Sequence, residues 1–283
     1  MTLSRAPAPA LRPWIASLWY VADPRASGWE VKLPTTGHQV LVNLERDRLS
    51  ARPLGTRTRA LTSTGAAVAT TTEGATLLDR GEQRRLAGAV LRPGAVPAVL
   101  GVPADALTPA VVALPELLGD RAGELLERCA EESNPHRVLD LLERSLSREI
   151  DPASTPTPLL GPAMRALSAG EPVARVARAL GVSASTLHRR FVREVGVPPK
   201  RYQRLDRLHR ATALLRRPPG GGLAELAQLL GYHDQAHFCH DFEDLAGLSP
   251  SAYRTHLGPD PHHVRLAKDA SFLQDGPPGS DAP

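Results

Sequence analysis

Two stretches of the sequence share one pattern, Val173-Ala-Arg-Val-Ala-Arg-Ala-Leu-Gly-Val-Ser183 and Leu223-Ala-Glu-Leu-Ala-Gln-Leu-Leu-Gly-Tyr-His233. Both read apolar, x, x, apolar, Ala, x, x, Leu, Gly, apolar, and their glycines lie 50 residues apart. The central alanine leaves room for a second helix to pack across the first. The glycine suits the positive φ at which a helix commonly ends. The repeat therefore predicts two helical hairpins of the same kind.

A second helix is predicted to follow each copy of the repeat. Ser183 and Asp234 are residue types that favour the first position of a helix, where their side chains accept a backbone hydrogen bond. Apolar residues then follow at i, i+4 spacing and face inward: Leu187 and Phe191 in one copy, Phe238 and Phe242 in the other. This is the helix-turn-helix pattern. An ordinary helical hairpin is the alternative for either copy, but two copies at a fixed spacing favour the helix-turn-helix.

Nearly all of the sequence between residues 159 and 257 reads as helix. The predicted helices are Pro162–Ala169, Pro172–Leu180, Ala184–Glu194, Lys200–Arg217, Leu223–Leu230, Asp234–Ala246 and Pro250–Leu257. The fourth connects the two hairpins and would be about 27 Å long at about 1.5 Å per residue. Successive major-groove faces of DNA lie about 34 Å apart. A connector of this length can therefore place two recognition helices in successive grooves.

Charge is divided unevenly along this helical region. The stretch 165–217 holds thirteen Lys or Arg and three acids, whereas 218–257 holds one Arg and five acids. A basic cluster on helices is typical of nucleic-acid binding, although charge alone is equally compatible with a solvated helix face. We therefore expect the first hairpin to dominate any affinity for DNA.

The residues before the helical region predict a different kind of domain. Short apolar or alternating runs predict strands at Trp14–Val21, Trp29–Leu33, Gln39–Leu44 and Leu86–Leu91, and helices are predicted at Arg121–Ala130 and Pro135–Glu149. The expected chain is an α+β protein of two domains. A small β-sandwich or barrel with helices (1–150) leads through a Pro-rich linker (151–158) to an all-α domain of about seven helices (159–257). A largely disordered tail (258–283), with Phe272-Leu273 as a docking point, is expected to follow.

The composition of the sequence argues against a membrane-spanning or secreted protein and against a cysteine-based site. No run of about 18 uncharged apolar residues exists, and the N-terminus lacks the apolar middle of a signal peptide, so we expect a cytoplasmic protein. Cys129 and Cys239 are too few for a disulfide framework or a four-thiolate zinc site. His233, His237, Cys239 and His240 share helical spacing, but the helix-turn-helix already explains that segment, and we expect no metal and no cofactor there.

The region from about residue 163 to 254 resembles the DNA-binding domain of the AraC/XylS family of bacterial transcription regulators. The matching segments are Ser183–Phe191, Gly196–Tyr202, Gly231–Phe242 and Gly247–Arg254. The N-terminal region is similar to the sensory-type domain of one branch of that family, through Leu11–Ile15, Leu33–Leu44 and Leu91–Pro103. Thr35-Thr36-Gly37 stands where that branch usually has Pro-Asp-Gly.

The resemblance implies which side chains read DNA. In the first unit, Ser185, His188 and Arg189 lie opposite the inward Leu187 and Phe191 and would enter the major groove. An arginine there can donate two parallel hydrogen bonds to guanine, worth roughly 1–3 kcal/mol of discrimination. Further basic residues would meet phosphates and position the protein without reading sequence: Arg190, Arg193, Lys200, Arg201 and Arg204.

The second unit is predicted to be the weaker reader. Its exposed candidates for base contacts are Gln235, His237 and His240, and a glutamine at such a position can pair with adenine. Asp241, Glu243 and Asp244 would repel phosphates if they faced the DNA backbone. The second unit should therefore add only a few polar contacts.

The sequence as a whole predicts a double-stranded DNA-binding transcription regulator that is not an enzyme, with a sensory or self-associating N-terminal domain. Two alternatives stay open: a small β-barrel enzyme fused to the DNA-binding domain, or a domain that only dimerises and binds no ligand. Residues 1–150 hold just two histidines, which disfavours a metalloenzyme. RNA polymerase, a second copy of the chain and a small-molecule effector remain open as partners. Four aromatic residues are candidates for an effector pocket, with core packing as the alternative: Trp14, Trp19, Tyr20 and Trp29.

Overall fold

The computed structural model of the chain describes residues 1–54, 61–107, 111–151, 153, 157–217, 222–258, 260 and 262–266. The predicted linker at 151–158 and the predicted tail at 258–283 fall partly outside these ranges, and Phe272-Leu273 lies wholly outside them. The domain boundaries at these two segments therefore stay predictions.

The N-terminal region folds into two antiparallel sheets, which confirms the predicted β-rich domain. Their strands are β1 Thr2–Arg5, β2 Ile15–Ala22, β3 Trp29–Lys32, β4 Gln39–Asn43, β5 Leu49–Pro53, β6 Leu61–Ser63, β7 Ala66–Ala69, β8 Thr76–Asp79, β9 Arg85–Leu91, β10 Val111–Ala113 and β11 His263–Arg265. One sheet has the order β1-β2-β9-β4-β7-β10 and the other β11-β3-β8-β5-β6. The four predicted strands are present as β2, β3, β4 and β9.

Helices cover the first of these sheets. They are α1 Val96–Leu100, α2 Pro115–Leu118, α3 Asp120–Glu131 and α4 Pro135–Glu149. In α4 the residues Val138, Leu139, Leu142 and Leu146 are fully buried, whereas Leu141 is half-buried. The buried positions follow i, i+1, i+4 and i+8, which is the wider stripe of a helix packed on a sheet.

Seven helices make up the described part of the C-terminal region, in agreement with the predicted all-α domain. They are α5 Leu160–Ser168, α6 Val173–Ala179, α7 Ala184–Val195, α8 Pro199–Leu215, α9 Leu223–Leu229, α10 Gln235–Ala246 and α11 Pro250–Thr255. Each predicted helix is present with its ends shifted by no more than two residues. The pairs α6–α7 and α9–α10 are the two helix-turn-helix units, called below the first unit and the second unit.

The repeated sequence features produce the repeated geometry. Gly181 has φ 69° and Gly231 has φ 75°, the left-handed conformation in which a β-carbon is costly. The Ser183 hydroxyl accepts a hydrogen bond from the Thr186 amide at 3.1 Å, which begins α7. The Asp234 carboxylate accepts one from the His237 amide at 2.7 Å, which begins α10. Both predicted N-caps are therefore confirmed.

The two units are buried in different ways. The first unit has its own apolar core, in which Leu187, Phe191 and Val195 pack with residues of α5 and α6. The second unit shares its core with the N-terminal domain, because Phe238 and Phe242 belong to one apolar cluster with Val31, Leu33 and other residues of the second sheet. The DNA-binding region and the sheet are thus joined through the second unit.

The chain returns to the N-terminal domain after α11. Residues 263–265, inside the predicted tail, form β11 and pair antiparallel with β3. A sequence of His-Val-Arg gives no strand signal of its own, and the pairing depends on a partner more than 200 residues away. This strand at the edge of the sheet was not predicted.

Candidate nucleic-acid interface

The outward face of α7 carries the three predicted base-reading residues of the first unit. Ser185, His188 and Arg189 are all exposed, whereas Leu187 and Phe191 behind them are buried. The ring of Phe191 packs edge-on against Tyr202 of α8 with 5.7 Å between centroids, which fixes the rotation of α7 about its axis. The structure therefore brings the three candidates together on one accessible helix face.

Three of the predicted phosphate-contacting residues lie near that face and are exposed: Arg190, Arg193 and Lys200. The Arg190 guanidinium donates to the Thr157 hydroxyl at 3.0 Å, and Thr157 in turn contacts the Glu194 carboxylate. This network ties the residues just before α5 to α7. Arg193 and Lys200 have their charged ends in solvent, where a phosphate could reach them.

The other two predicted phosphate contacts are engaged inside the protein. Arg201 donates to the backbone carbonyl of Thr72 at 3.4 Å and to that of Glu73, both in the N-terminal domain. Arg204 forms ion pairs with Asp241 at 2.6 Å and Asp244 at 2.5 Å, both on α10. Both guanidinium groups are thus held by partners within the protein, which come from other elements of the fold and could not be read from the sequence.

The second unit presents the candidates Gln235, His237 and His240 on α10, and all three are exposed. The ring of His237 stands edge-on to Tyr232 with 5.2 Å between centroids. This contact places one of the three candidates against the turn of its own unit.

One of the three acids of α10, Asp241, faces inward, whereas Glu243 and Asp244 are exposed. Asp241 is buried and accepts hydrogen bonds from the Tyr232 hydroxyl at 2.7 Å and from Arg204 at 2.7 Å. Burial and the neighbouring Asp241 raise the pKa of Tyr232. The hydrogen bond from Arg204 lowers the pKa of Asp244. Of the three acids expected to repel phosphate, Asp241 and Asp244 share Arg204 and Glu243 has no partner among the described contacts, so one positive charge faces three negative ones.

The N-terminal aromatic candidates do not lie together. Trp14 and Tyr20 pack with the main core of the domain, Trp19 with a small cluster beside it, and Trp29 with the cluster shared with the second unit. The Tyr20 hydroxyl accepts a hydrogen bond from Arg85 at 3.1 Å, and the Arg52 guanidinium lies 5.4 Å from the centroid of Trp29. These four residues therefore form no common pocket wall.

A cavity does lie between the two sheets, and none of the four aromatic residues lines it. It has a volume of about 40 Å³ and opens to solvent. Leucines and valine supply its apolar surface, and one lysine, several hydroxyls and an amide supply its polar surface: Leu33, Leu41, Leu49, Leu78, Val111, Lys32, Thr35, Thr70, Thr72, Thr76, Ser50 and Gln83. Burial lowers the pKa of Lys32 to about 8. A lysine within the apolar run Trp29–Leu33 was the sequence signal that could have pointed to this site.

The remaining reactive side chains show no cluster for catalysis or metal binding in the part of the chain that the structure describes. No three His, Cys, Asp or Glu residues there converge on a position for a metal ion. Burial raises the pKa of the Cys129 thiol to about 11, which keeps it protonated and unreactive. Within the described ranges, no helix is both long and apolar enough to cross a membrane.

Comparisons with known proteins divide the chain as the structure does. A family described as "Helix-turn-helix domain" matches residues 176–256, and one described as "Domain of unknown function (DUF6597)" matches residues 4–113. An uncharacterized HTH-type transcriptional regulator of Haemophilus influenzae is 34% identical over 82 residues, which are 29% of this chain and 27% of the relative. The chain thus spans about a quarter of that relative's length.

Solved structures resemble either the C-terminal region or most of the chain. A transcriptional regulator of Chromobacterium violaceum with an AraC-type DNA-binding domain is 25% identical, with a TM-score of 0.33, over 36% of this chain and 96% of that one. Unsaturated fatty acid-bound ToxT of Vibrio cholerae is 10% identical, with a TM-score of 0.46, over 92% of this chain and 96% of that one.

The helix-turn-helix match covers both units, from within α6 to the end of α11. The relative from Haemophilus influenzae is itself described as a regulator of the helix-turn-helix type. Residues 176–256, which span most of both units, thus match the helix-turn-helix domain family.

Proposed function

We propose that this protein is a sequence-specific double-stranded DNA-binding transcription regulator, with the first unit as its principal reader. The observation that carries the proposal is the exposed face of α7, where Ser185, His188 and Arg189 project away from a fully buried apolar stripe. Arg189 would donate two hydrogen bonds to a guanine in the major groove. Ser185 and His188 would contact neighbouring bases.

The second unit would occupy the next major groove and contribute less. At about 1.5 Å per residue the 17 residues of α8 span about 26 Å, so this helix can hold the units near the separation of two successive grooves. Gln235, His237 and His240 would supply polar contacts there. Arg204 pairs with two of the three acids of α10, and the negative charge that remains would weaken the approach of this unit to DNA.

The phosphate contacts in this proposal come from the exposed basic residues near α7. Arg190, Arg193 and Lys200 can reach the backbone without disturbing the core. Arg201 and Arg204 belong to the same predicted set, and their use requires their present partners to be released.

Binding of the full-length protein to a fragment of its own upstream region, titrated with salt, tests the proposal. We expect tight binding that weakens steeply as salt rises, because bound phosphates release counterions. Arg189→Ala should lose at least about tenfold in affinity for that fragment and less for random DNA. The matched control is Arg144→Ala, which removes an exposed arginine of α4. Absence of binding to any DNA at low salt would overturn the proposal.

The cavity between the sheets is our candidate for an effector site. At about 40 Å³ the cavity must widen to admit a ligand, and its apolar walls and the Lys32 ammonium group would then suit a small molecule with an apolar body and an anionic group. Thermal shift of the full-length protein against a panel of such molecules tests this, with Lys32→Met as the variant that should lose the response. A domain that only dimerises would show no shift with any member of the panel.

The remaining parts of the proposal concern partners. A regulator of this kind would act on RNA polymerase at a promoter, and its N-terminal domain would join two copies of the chain. Sedimentation of the purified protein with and without DNA measures whether two copies of the chain associate. No specific observation favours the alternative of a small β-barrel enzyme fused to the DNA-binding domain.

A further inference from the structure

The turn of the second unit holds an aromatic ring where the turn of the first holds an aliphatic side chain. Tyr232 follows Gly231, whereas Val182 stands at the same place after Gly181. The Tyr232 side chain is buried and its ring packs against that of Phe238, with 5.4 Å between centroids. This ring is therefore a fixed part of the second unit that the first unit lacks.

The connector α8 places a cation on that ring. The guanidinium carbon of Arg207 lies 4.6 Å from the centroid of Tyr232. A cation over an aromatic face is attracted by the electrons of the ring, and a planar guanidinium stacks there as an ammonium cannot. The Tyr232 hydroxyl donates to the Asp241 carboxylate at 2.7 Å. The ring is thus held both over its face and at its hydroxyl end.

The side chain of His237 rests on the same ring. The two rings stand edge-on, with 5.2 Å between centroids and 89° between planes, although His237 itself is exposed. Its backbone amide donates to the Asp234 carboxylate at 2.7 Å, which fixes it in the first turn of α10. Among the described contacts, neither Gln235 nor His240 has a side-chain hydrogen bond or a ring contact.

A side chain that is already held has an advantage in reading a base. A free side chain loses rotamer freedom when it binds, and that loss costs free energy, whereas a side chain held in its bound position avoids most of the cost. An imidazole can donate or accept a hydrogen bond at a base edge. His237 therefore differs from the other two candidates of α10 in being oriented before DNA arrives.

We propose that His237 is the side chain that determines base preference in the second unit, and that Tyr232 and Arg207 are the residues that position it. The inference rests on the proposed function, because it requires α10 to enter a major groove. Arg207 belongs to α8, so the connector between the two units sets the orientation of a base-reading residue in one of them. Its charge acts through the ring of Tyr232 and not on a phosphate.

Base preference measured with the full-length protein tests this arrangement. Each base pair of the protected upstream sequence is replaced in turn, and binding is measured by competition. His237→Ala should lose at least about threefold discrimination at one base pair, as expected for one hydrogen bond. Arg207→Lys keeps the positive charge but not the planar stack, so it should lose discrimination at the same base pair with an unchanged salt dependence. The matched control is Arg210→Lys, an exposed arginine of α8 that pairs with Asp206.

Two further variants separate positioning from a general effect on folding. Arg207→Lys added to His237→Ala should change base preference no further, because the two residues act through one contact. Tyr232→Phe keeps the ring and should keep the base preference, although it loses the hydrogen bond to Asp241 and should unfold at a lower urea concentration.

The possible failures are distinguishable. Equal weakening of all duplexes by Arg207→Lys would show that Arg207 is structural or meets a phosphate, and would overturn its positioning role. An unchanged base preference in His237→Ala would overturn the whole inference while leaving the proposed function intact. If no form of the protein bound any DNA, the proposed function would fail and this inference with it.

Discussion

The two helix-turn-helix units share a sequence pattern and a backbone geometry, yet their surroundings differ. The first unit has an apolar core of its own and an exposed basic recognition helix. The second shares its core with the N-terminal sheet, and its recognition helix is tied by acids to α8. Equal local sequence rules thus produce one unit with a core of its own and one unit whose core is shared with the N-terminal sheet. The difference predicts that the two units respond differently to the same kind of substitution.

The largest expected effect is loss of an aromatic residue from each core. Phe191→Ala and Phe238→Ala both remove a fully buried ring and should each lower the free energy of unfolding by about 3–5 kcal/mol. Urea unfolding measures the loss, and hydrogen exchange shows where it acts. Phe191→Ala should loosen α5 to α7, whereas Phe238→Ala should also loosen β3 and β8, because its cluster includes the sheet.

The exposed Leu229→Ala is the control for this pair, with an expected change within about 0.5 kcal/mol. Faster exchange in the second sheet after Phe191→Ala, to the same extent as after Phe238→Ala, would contradict the division of the two cores.

The second largest expected effect is a loss of specific DNA binding when a base-contacting residue is removed. Arg189→Ala should cost roughly 1–3 kcal/mol of specific binding, because one arginine supplies two hydrogen bonds to a single base. Gln235→Ala at the corresponding part of the second unit should cost less than about 1 kcal/mol. Footprints of both variants on the upstream fragment measure the two half-sites separately. A second half-site protected as strongly as the first in the wild-type protein would show that the units are equal readers.

A smaller effect should follow from loss of the buried carboxylate behind α10. Asp241 accepts from both Tyr232 and Arg204, and a hydrogen bond to a buried charged group contributes about 1.5–3 kcal/mol. Asp241→Asn should therefore lower the free energy of unfolding by about that amount. Asp244→Asn, at the exposed end of the same arginine, should cost less than about 1 kcal/mol. Equal losses of unfolding free energy in the two variants, measured by urea unfolding, would show that burial of Asp241 does not strengthen its hydrogen bonds.

The sequence predicted these two units well because their determinants are local. Gly181 and Gly231 end helices through their own backbone freedom, and Ser183 and Asp234 begin helices through hydrogen bonds to residues three positions away. The spacing of apolar residues then placed Ser185, His188 and Arg189 on the exposed face. The use of these residues on DNA remains a prediction.

What the sequence did not predict depends on distant partners. Strand β7 reads Ala-Ala-Val-Ala, with neither alternation nor bulky branched residues, and forms because β4 and β10 lie on either side of it. β11 depends likewise on β3. The partners of Arg201 and Arg204 come from other elements, so their basic character alone suggested phosphate contacts. The cavity likewise arises from the packing of two sheets rather than from a cluster of aromatic residues.

The smallest expected effect is a pH dependence of the contact between His209 of α8 and His262, which lies just before β11. Burial lowers the pKa of His262 to about 4 and also lowers that of His209. The groups that face this pair are the carbonyl of Pro34 and the side chains of Asp206, Asp260, His263 and Lys32. His263 contacts the Glu30 carboxylate, and burial lowers the pKa of Lys32 to about 8. Neutral imidazoles therefore suit the packed arrangement of His209 and His262.

Because the pKa values of these histidines are lower in the packed arrangement than the ordinary 6.5, the histidines bind fewer protons there than when their contact is broken. The packed arrangement is thus favoured above about pH 6.5 and loses stability as pH falls toward 4. We expect a loss of under about 1 kcal/mol for His262 between pH 7 and pH 6, seen as faster hydrogen exchange in β3 and α8. His262→Gln should flatten this dependence, whereas the exposed His256→Gln should not. Exchange at the end of α7 should rise as well, because the buried His38, whose pKa burial lowers to about 4, lies beside Gly196 there. Constant exchange in β3 and α8 between pH 7 and pH 6 would contradict this prediction.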